Sequence, residues 1–66
     1  MAYDEEAIYQ TETDSAVCVE IDGEDFWIPD SHIESDSDIY LGCGLERGAV
    51  ATIVMSDWIA KRKGLL

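Results

Sequence analysis

The side chains best suited to chemistry lie around His32, the only histidine of this 66-residue chain. An imidazole can ligate a metal ion or transfer a proton, because it titrates near neutral pH. Its spacing to nearby acidic residues matches neither a zinc site nor the twelve-residue calcium loop with its central glycine. We therefore expect a solvated histidine, no metal and no cofactor. The neighbouring carboxylates are those of Asp30, Glu34, Asp36 and Asp38.

Two further side chains, Ser31 and Cys43, could act as nucleophiles, but neither has an evident general base. His32 follows Ser31 in the chain, and adjacency in sequence does not point one side chain at the other. The Gly42–Gly44 turn lacks the lysine and helix start of a phosphate-binding loop. Cys18 and Cys43 lack zinc-type spacing, so reduced thiols are expected. The sequence favours a protein that is not an enzyme.

Charge is distributed very unevenly along the chain. Residues 1–46 carry fourteen carboxylates and no lysine or arginine, a charge of −14, whereas residues 47–66 carry +3, which gives −11 in total. Repulsion among the carboxylates opposes compaction, so added salt is predicted to stabilise the fold. A compact chain of this length should be about 28 Å across, a span over which duplex DNA carries roughly 16 phosphates. The acidic part approaches the charge density of DNA, which disfavours direct binding to nucleic acid.

The two ends of the chain bear on localisation. Residues 1–10 have no positive charge before an apolar stretch, which is the opposite of a secretory signal, so a cytoplasmic protein is predicted. The longest apolar run, Ala49 to Met55, is far shorter than the roughly 20 residues that span a bilayer. An anionic membrane surface would repel the acidic part.

A β-hairpin is the clearest structural prediction. Residues 15–21 alternate with a period of two, which places Val17, Val19 and Ile21 on one side of a strand. Asp22-Gly23 is a strong turn signal, and residues 26–28 form the returning strand with Trp27 on the reverse face. A two-residue loop would place Glu20 opposite Asp25, two like charges. We therefore predict a four-residue tip, Asp22 to Asp25.

The remaining elements are predicted from end signals. Pro29 ends the second strand, and the Ser31 and Glu34 spacing is that of a capping box for a short helical turn. Residues 34–38 read as a solvated loop, Ile39–Leu41 as a third strand and Ala49–Met55 as a fourth strand that is central or covered. Residues 56–64 are predicted to form a helix that starts at Ser56, ends at Gly64 and turns Trp58, Ile59 and Leu65 towards the sheet.

Together these elements predict a single α+β domain covering residues 1–66. It consists of a small antiparallel sheet of three to five strands over residues 15–55, open or a partly open barrel, with the C-terminal helix packed on it. Residues 1–14 are either mobile or an edge strand.

Two segments resemble a group of small bacteriophage and prophage proteins. They are AVCVEIDGEDFWIPDSHI, residues 16–33, and SDWIAKRKGL, residues 56–65. The group shows a G-E-x-x-W-I-P-x-S segment and a C-terminal W-[IL]-A-x-x-x-G-L helix. Asp30 and His32 stand where lysine and glutamine are expected in that group, so the charge of this chain differs from that of the group in the acidic direction. The resemblance implies a phage or mobile-element origin, and phages encode small acidic proteins that block host nucleases.

Charge and resemblance lead to one hypothesis. The chain is interpreted as an acidic inhibitor of a host defence nuclease complex, of anti-CRISPR or anti-restriction type, that occupies a basic nucleic-acid-binding surface. The alternative is a non-enzymatic accessory module, either a homodimer or a single chain, that docks on a phage recombination or replication protein through its exposed sheet edge and the apolar side of its helix. The predicted partner-binding residues are Asp22, Glu24, Asp25, Trp27, Asp30, Glu34, Asp36 and Asp38.

Overall fold

The architecture is an open, four-stranded antiparallel sheet with one C-terminal helix packed on one face. It was obtained as a computed structural model that describes residues 2–66. The strands are β1 (Ala2–Glu12), β2 (Ala16–Ile21), β3 (Glu24–Pro29) and β4 (Val50–Ser56), followed by helix α1 (Asp57–Arg62). Their order in the sheet is β3-β2-β1-β4. The predicted α+β class and C-terminal helix are confirmed.

The N-terminal segment is a central strand of this sheet. β1 pairs with β4 from Ala2–Ser56 to Ile8–Val50, and its second half pairs with β2. An irregularity between Tyr9 and Thr11 shifts the register with β2 by one residue. The expectation of a mobile segment or an edge strand is therefore wrong for residues 2–12, and Met1 lies outside the described residues. The four acidic residues of β1, three of them adjacent at residues 4–6, obscured the alternation of Tyr3, Ala7 and Tyr9.

The β2–β3 hairpin follows the predicted faces but not the predicted loop. Val17 pairs with Ile28 and Cys18 with Trp27, so Trp27 lies on the reverse face as expected. The loop is only Asp22-Gly23, with φ angles of 54° and 79°, which is the backbone of a type I′ turn. The four-residue tip is wrong, because this turn matches the twist of the strands closely enough to outweigh a solvent-screened Glu20–Asp25 repulsion.

Residues 30–49 connect β3 to β4 with little regular structure. Asp30–His32 is a single 3₁₀ turn without a side-chain cap, so the Ser31–Glu34 capping box is wrong. The Glu34 amide instead donates to the Val54 carbonyl at 2.8 Å. The predicted third strand at Ile39–Leu41 is also wrong: Ile39 is fully buried in an irregular segment.

β4 is an edge strand whose outer side is covered by this connection. The Asp38 amide donates to the Thr52 carbonyl at 3.0 Å, and the Val54 amide donates to the Ser37 hydroxyl at 2.9 Å. Ser37 in turn donates to the Ile39 carbonyl and is 5% exposed, so the loop predicted to be solvated contains a buried polar anchor. Of the two positions predicted for this strand, the covered one is confirmed.

The core lies on one face of the sheet, here named the covered face. Alternation and register place Tyr3, Ala7 and Tyr9 of β1 on the same side as the apolar residues of the other strands. Helix α1 adds Ile59 and Ala60, and the connection adds Ile33, Leu41 and Leu45. The other apolar strand residues of the covered face are Val17, Val19, Ile21, Phe26, Ile28, Ala51, Ile53 and Met55.

Helix α1 has the predicted ends but not the predicted facing. The Ser56 hydroxyl accepts from the Ile59 amide at 3.3 Å, and Gly64 has a φ of 79° just beyond the helix. Ile59 is buried, whereas Trp58 is 55% exposed, so the expectation that Trp58 faces the sheet is wrong. A six-residue helix buries only one narrow stripe, which Ile59 and Ala60 occupy.

No helix in residues 2–66 is long and apolar enough to cross a membrane.

Candidate functional site

The reverse side of the sheet, here named the open face, lies opposite helix α1 and the hydrophobic core of the described residues. Alternation along the strands assigns it the residues that the covered face leaves out. The register then joins them across strands, because Ile8 pairs with both Val50 and Glu20, and Glu20 pairs with Asp25. The side chains of the open face include Asp4, Glu6, Ile8, Cys18, Glu20, Asp25, Trp27, Val50, Thr52 and Val54.

Carboxylates dominate the polar part of the open face. Asp4 and Glu6 are exposed on β1, Glu20 is half-buried on β2, and Asp25 is exposed on β3. Neighbouring strands lie about 4.8 Å apart, so Glu20 and Asp25 place two like charges close together. The Gln10 amide donates to the Glu20 carboxylate at 3.4 Å, and the Arg47 guanidinium donates to the Gln10 oxygen at 3.3 Å. Arg47 is thus held beside the acidic cluster through an amide.

Aromatic and aliphatic side chains interrupt the carboxylates. Trp27 is 44% exposed and lies across from Cys18, while Val50 is 59% exposed at the far side of the sheet. Cys18 is buried beneath this surface, and burial raises the pKa of its thiol, as does Asp25 to a smaller degree, while Arg47 lowers it. The open face therefore combines negative charge with an exposed indole, a pairing suited to a cationic protein surface.

The predicted partner-binding residues are all exposed, but they form two groups. Five of them lie on the hairpin or directly after it: Asp22, Glu24, Asp25, Trp27 and Asp30. The other three, Glu34, Asp36 and Asp38, lie in the connection that covers β4, at the other end of the strand order. The sheet does not place the two groups on neighbouring strands.

Sequence reasoning missed the carboxylates of β1 and β2. Asp4, Glu6 and Glu20 share the open face with Asp25, and none of them was among the predicted residues. The signal was present in the alternation of Tyr3, Ala7 and Tyr9, which marks a strand and leaves the even-numbered acids on its other side.

His32 lies in an aromatic stack and not in a solvated turn. Its ring is 5.0 Å from that of Trp58 at an interplanar angle of 24°, and the Arg62 guanidinium carbon lies 4.9 Å from the Trp58 ring centroid. The imidazole Nδ1 is 3.1 Å from the hydroxyl of Ser56, the helix N-cap. The expectation of a solvated histidine is wrong, because the indole and the cap both hold the ring.

The structure offers few features of a catalytic or ligand site. Within residues 2–66 no group of three or more His, Cys, Asp or Glu side chains converges on a point where a metal ion could sit. The same part of the chain forms no pocket. Cys18 and Cys43 are both free thiols.

The fold and this surface define a class: a small α+β protein with an acidic, indole-bearing open sheet face. No known family matches the chain, and neither a curated protein nor a solved structure matches it.

Proposed function

We propose that this chain is a non-enzymatic, phage-type inhibitor of a host defence nuclease complex. It acts in the host cytoplasm by occupying a basic nucleic-acid-binding surface with carboxylates, as an anti-CRISPR or anti-restriction protein does. It binds neither nucleic acid nor a membrane, and it needs no cofactor. The open face is the contact surface, with the hairpin tip at its margin.

One observation carries the proposal: the Glu20–Asp25 pair lies directly across two strands of the open face. Like charges placed opposite each other destabilise a sheet. The pair therefore does not stabilise the sheet. The positive charges of a basic partner would be attracted to both carboxylates and would offset their mutual repulsion. Asp4 and Glu6 extend the same charge along β1.

The dimensions of the molecule support the same proposal. Its longest axis is 27 Å, and duplex DNA of that length carries roughly 16 phosphates. The fourteen carboxylates of residues 1–46 give the molecule as a whole a number of negative charges close to that of such a duplex. A net charge of this kind steers association with a basic partner, which should be fast at low salt and slow at high salt.

The exposed apolar side chains of the open face favour a second candidate. Trp27 and Val50 would be well placed in a contact that depends on burial and not on charge. We keep as the alternative an accessory module, homodimeric or bound to a phage recombination or replication protein.

Two double variants distinguish the effect of charge on the open face from the effect of the overall charge of the chain. Glu20→Gln with Asp25→Asn neutralises the open-face pair, and Asp14→Asn with Glu46→Gln removes the same charge from exposed positions outside the strands. Purified restriction enzymes and CRISPR effector complexes would be incubated with each variant, and DNA cleavage measured at several salt concentrations.

We expect the wild-type chain and the Asp14/Glu46 variant to block DNA cleavage, and the Glu20/Asp25 variant to block it less strongly. Affinity capture from a host lysate, with and without duplex DNA as competitor, identifies the target if it is not among those enzymes. Binding that resists both DNA and neutralisation of Glu20 and Asp25, yet is lost in Trp27→Ala, would reject charge mimicry in favour of the accessory module.

A further inference from the structure

The two edges of the sheet differ in how their backbone groups are used. On β4, the outward carbonyls of Thr52 and Val54 accept hydrogen bonds from the connection, and the Val54 amide donates to Ser37. That edge is closed to an additional strand. Covering an edge in this way is a common protection against unwanted pairing.

On β3 the outward groups can be identified from the hairpin. The two-residue turn pairs Ile21 with Glu24, and the Asp30 amide donates to the Ser15 carbonyl at 2.9 Å at the other end. Antiparallel pairs alternate, so Glu24, Phe26 and Ile28 direct their backbone groups at β2. Asp25, Trp27 and Pro29 direct theirs outward, and within residues 2–66 no hydrogen bond reaches the backbone of Asp25 or Trp27.

We infer that the outer edge of β3 accepts an extended, lysine- or arginine-bearing segment of the partner protein as a fifth strand. The edge offers the amides and the carbonyls of Asp25 and Trp27. Proline has no amide to donate, so the site is short and ends at Pro29. Addition of a strand to an open edge is a general mode of peptide recognition.

Charge selects the occupant. Asp22, Glu24 and Asp25 surround the open edge, and Glu20 lies opposite Asp25. A second copy of this chain would bring its own charge of −11 against the same edge, whereas a cationic segment would neutralise it. The exposed Trp27 ring adds a face on which a lysine or arginine head group can rest.

The inference rests on the proposed function, since it specifies how the sheet edge binds a basic partner. The probe is a synthetic peptide of about eight residues that alternates lysine with threonine or valine, long enough for one strand. Hydrogen exchange and NMR shifts of the full chain would be followed residue by residue. The inward amides of Phe26 and Ile28 serve as internal references that are already protected.

Saturating peptide should slow exchange at Asp25 and Trp27 by about tenfold or more, with little change at Phe26 and Ile28. Asp25→Lys should weaken binding by about tenfold, and Asp36→Lys, which makes the same charge change in the other acidic group, much less. Asp25→Asn is the fallback should Asp25→Lys disturb the hairpin, and it should weaken binding in the same direction.

A lysine–proline peptide of equal charge separates strand addition from charge alone. Its prolines fix φ near about −65° and favour a polyproline II helix, which does not repeat every two residues as a strand does, so it should bind far more weakly. Equal binding of both peptides would overturn the fifth strand while leaving the proposed inhibition intact. Protection of Asp25 and Trp27 that rises with protein concentration, without peptide, would also overturn it, because a second copy would then occupy the edge. Strand addition that persists when nucleases are unaffected would instead overturn the proposed function.

Discussion

The two faces of the sheet are built from the same four strands but contribute oppositely to the stability of the fold. The covered face holds fully buried aliphatic residues such as Ile28, Ile53 and Met55, and the helix lies against it. The open face holds carboxylates and Trp27, and its cross-strand pair Glu20–Asp25 opposes folding. Stability is therefore concentrated on the covered face, and the open face contributes little to it.

The largest effect is expected from a cavity in the covered face. Ile53 is fully buried on β4, and Ile53→Ala should lower the free energy of unfolding by about 2–5 kcal/mol. Val50, on the same strand but on the open face, is 59% exposed, and Val50→Ala should change it by less than about 0.5 kcal/mol. Urea titrations of both variants measure the difference. Similar losses for the two would contradict the division between the faces.

The next effect concerns the closed edge of β4. Ser37 donates to the Ile39 carbonyl at 2.6 Å and accepts from the Val54 amide at 2.9 Å. Ser37→Ala leaves two buried backbone groups without partners, so it should destabilise the fold by about 1–3 kcal/mol. Ser35→Ala, at an exposed position of the same connection, is the matched control. The Val54 amide should also exchange faster in Ser37→Ala, and unchanged exchange there would show that the hydroxyl is not the edge's cover.

High pH is expected to destabilise the fold through two tyrosines of the covered face, Tyr3 and Tyr9. Burial, followed by a hydrogen bond to Glu5, raises the pKa of Tyr3 to about 12, and burial with a hydrogen bond to Glu12 raises the pKa of Tyr9 to about 12. An unfolded tyrosine ionises near pH 10, so folding favours the neutral phenol. This stabilisation is complete below about pH 10 and is lost as the pH rises through 12.

Urea titrations from pH 9 to about 12 should therefore show falling stability, with ultraviolet absorbance reporting phenolate formation. Tyr9→Phe removes one of the two contributions and should flatten the decline. An equally steep decline in Tyr9→Phe would mean that the Glu12 hydrogen bond does not hold the phenol proton.

The difference between the faces also explains what could be predicted from sequence. Hydrophobic alternation in residues 15–21 and the end signals at Ser56 and Gly64 are local, and they predicted a strand and helix ends that the structure contains. The connection could not be predicted in this way. Ile39 and Ser37 are buried because they close the edge of β4, which is a long-range contact that no local period records.

The candidate surface was predicted only in part for a related reason. Asp22, Glu24 and Asp25 stand beside a recognisable turn, so their position on a hairpin could be inferred. The alternation in residues 3–9 could have placed Asp4 and Glu6 on one face of a strand, but that face could be joined to Glu20 only once β1 was known to pair with both neighbours. The stacking of His32 on Trp58 joins residues 26 positions apart and has no signature in the sequence.

The smallest change in the free energy of unfolding is expected on the open face. Its direction is informative, because a substitution there should stabilise the fold. Asp25→Lys replaces the like-charge pair with Glu20 by an opposite-charge pair, so the variant should be more stable by about 0.2–1 kcal/mol. Asp14→Lys makes the same change in net charge at an exposed position outside the strands. Comparing the two in low and high salt isolates the cross-strand term, because screening weakens it. If Asp25→Lys gains no more stability than Asp14→Lys, the carboxylates of the open face do not repel each other appreciably. The pair would then carry no destabilisation for a basic partner to relieve, and the proposed contact surface would lose its main support.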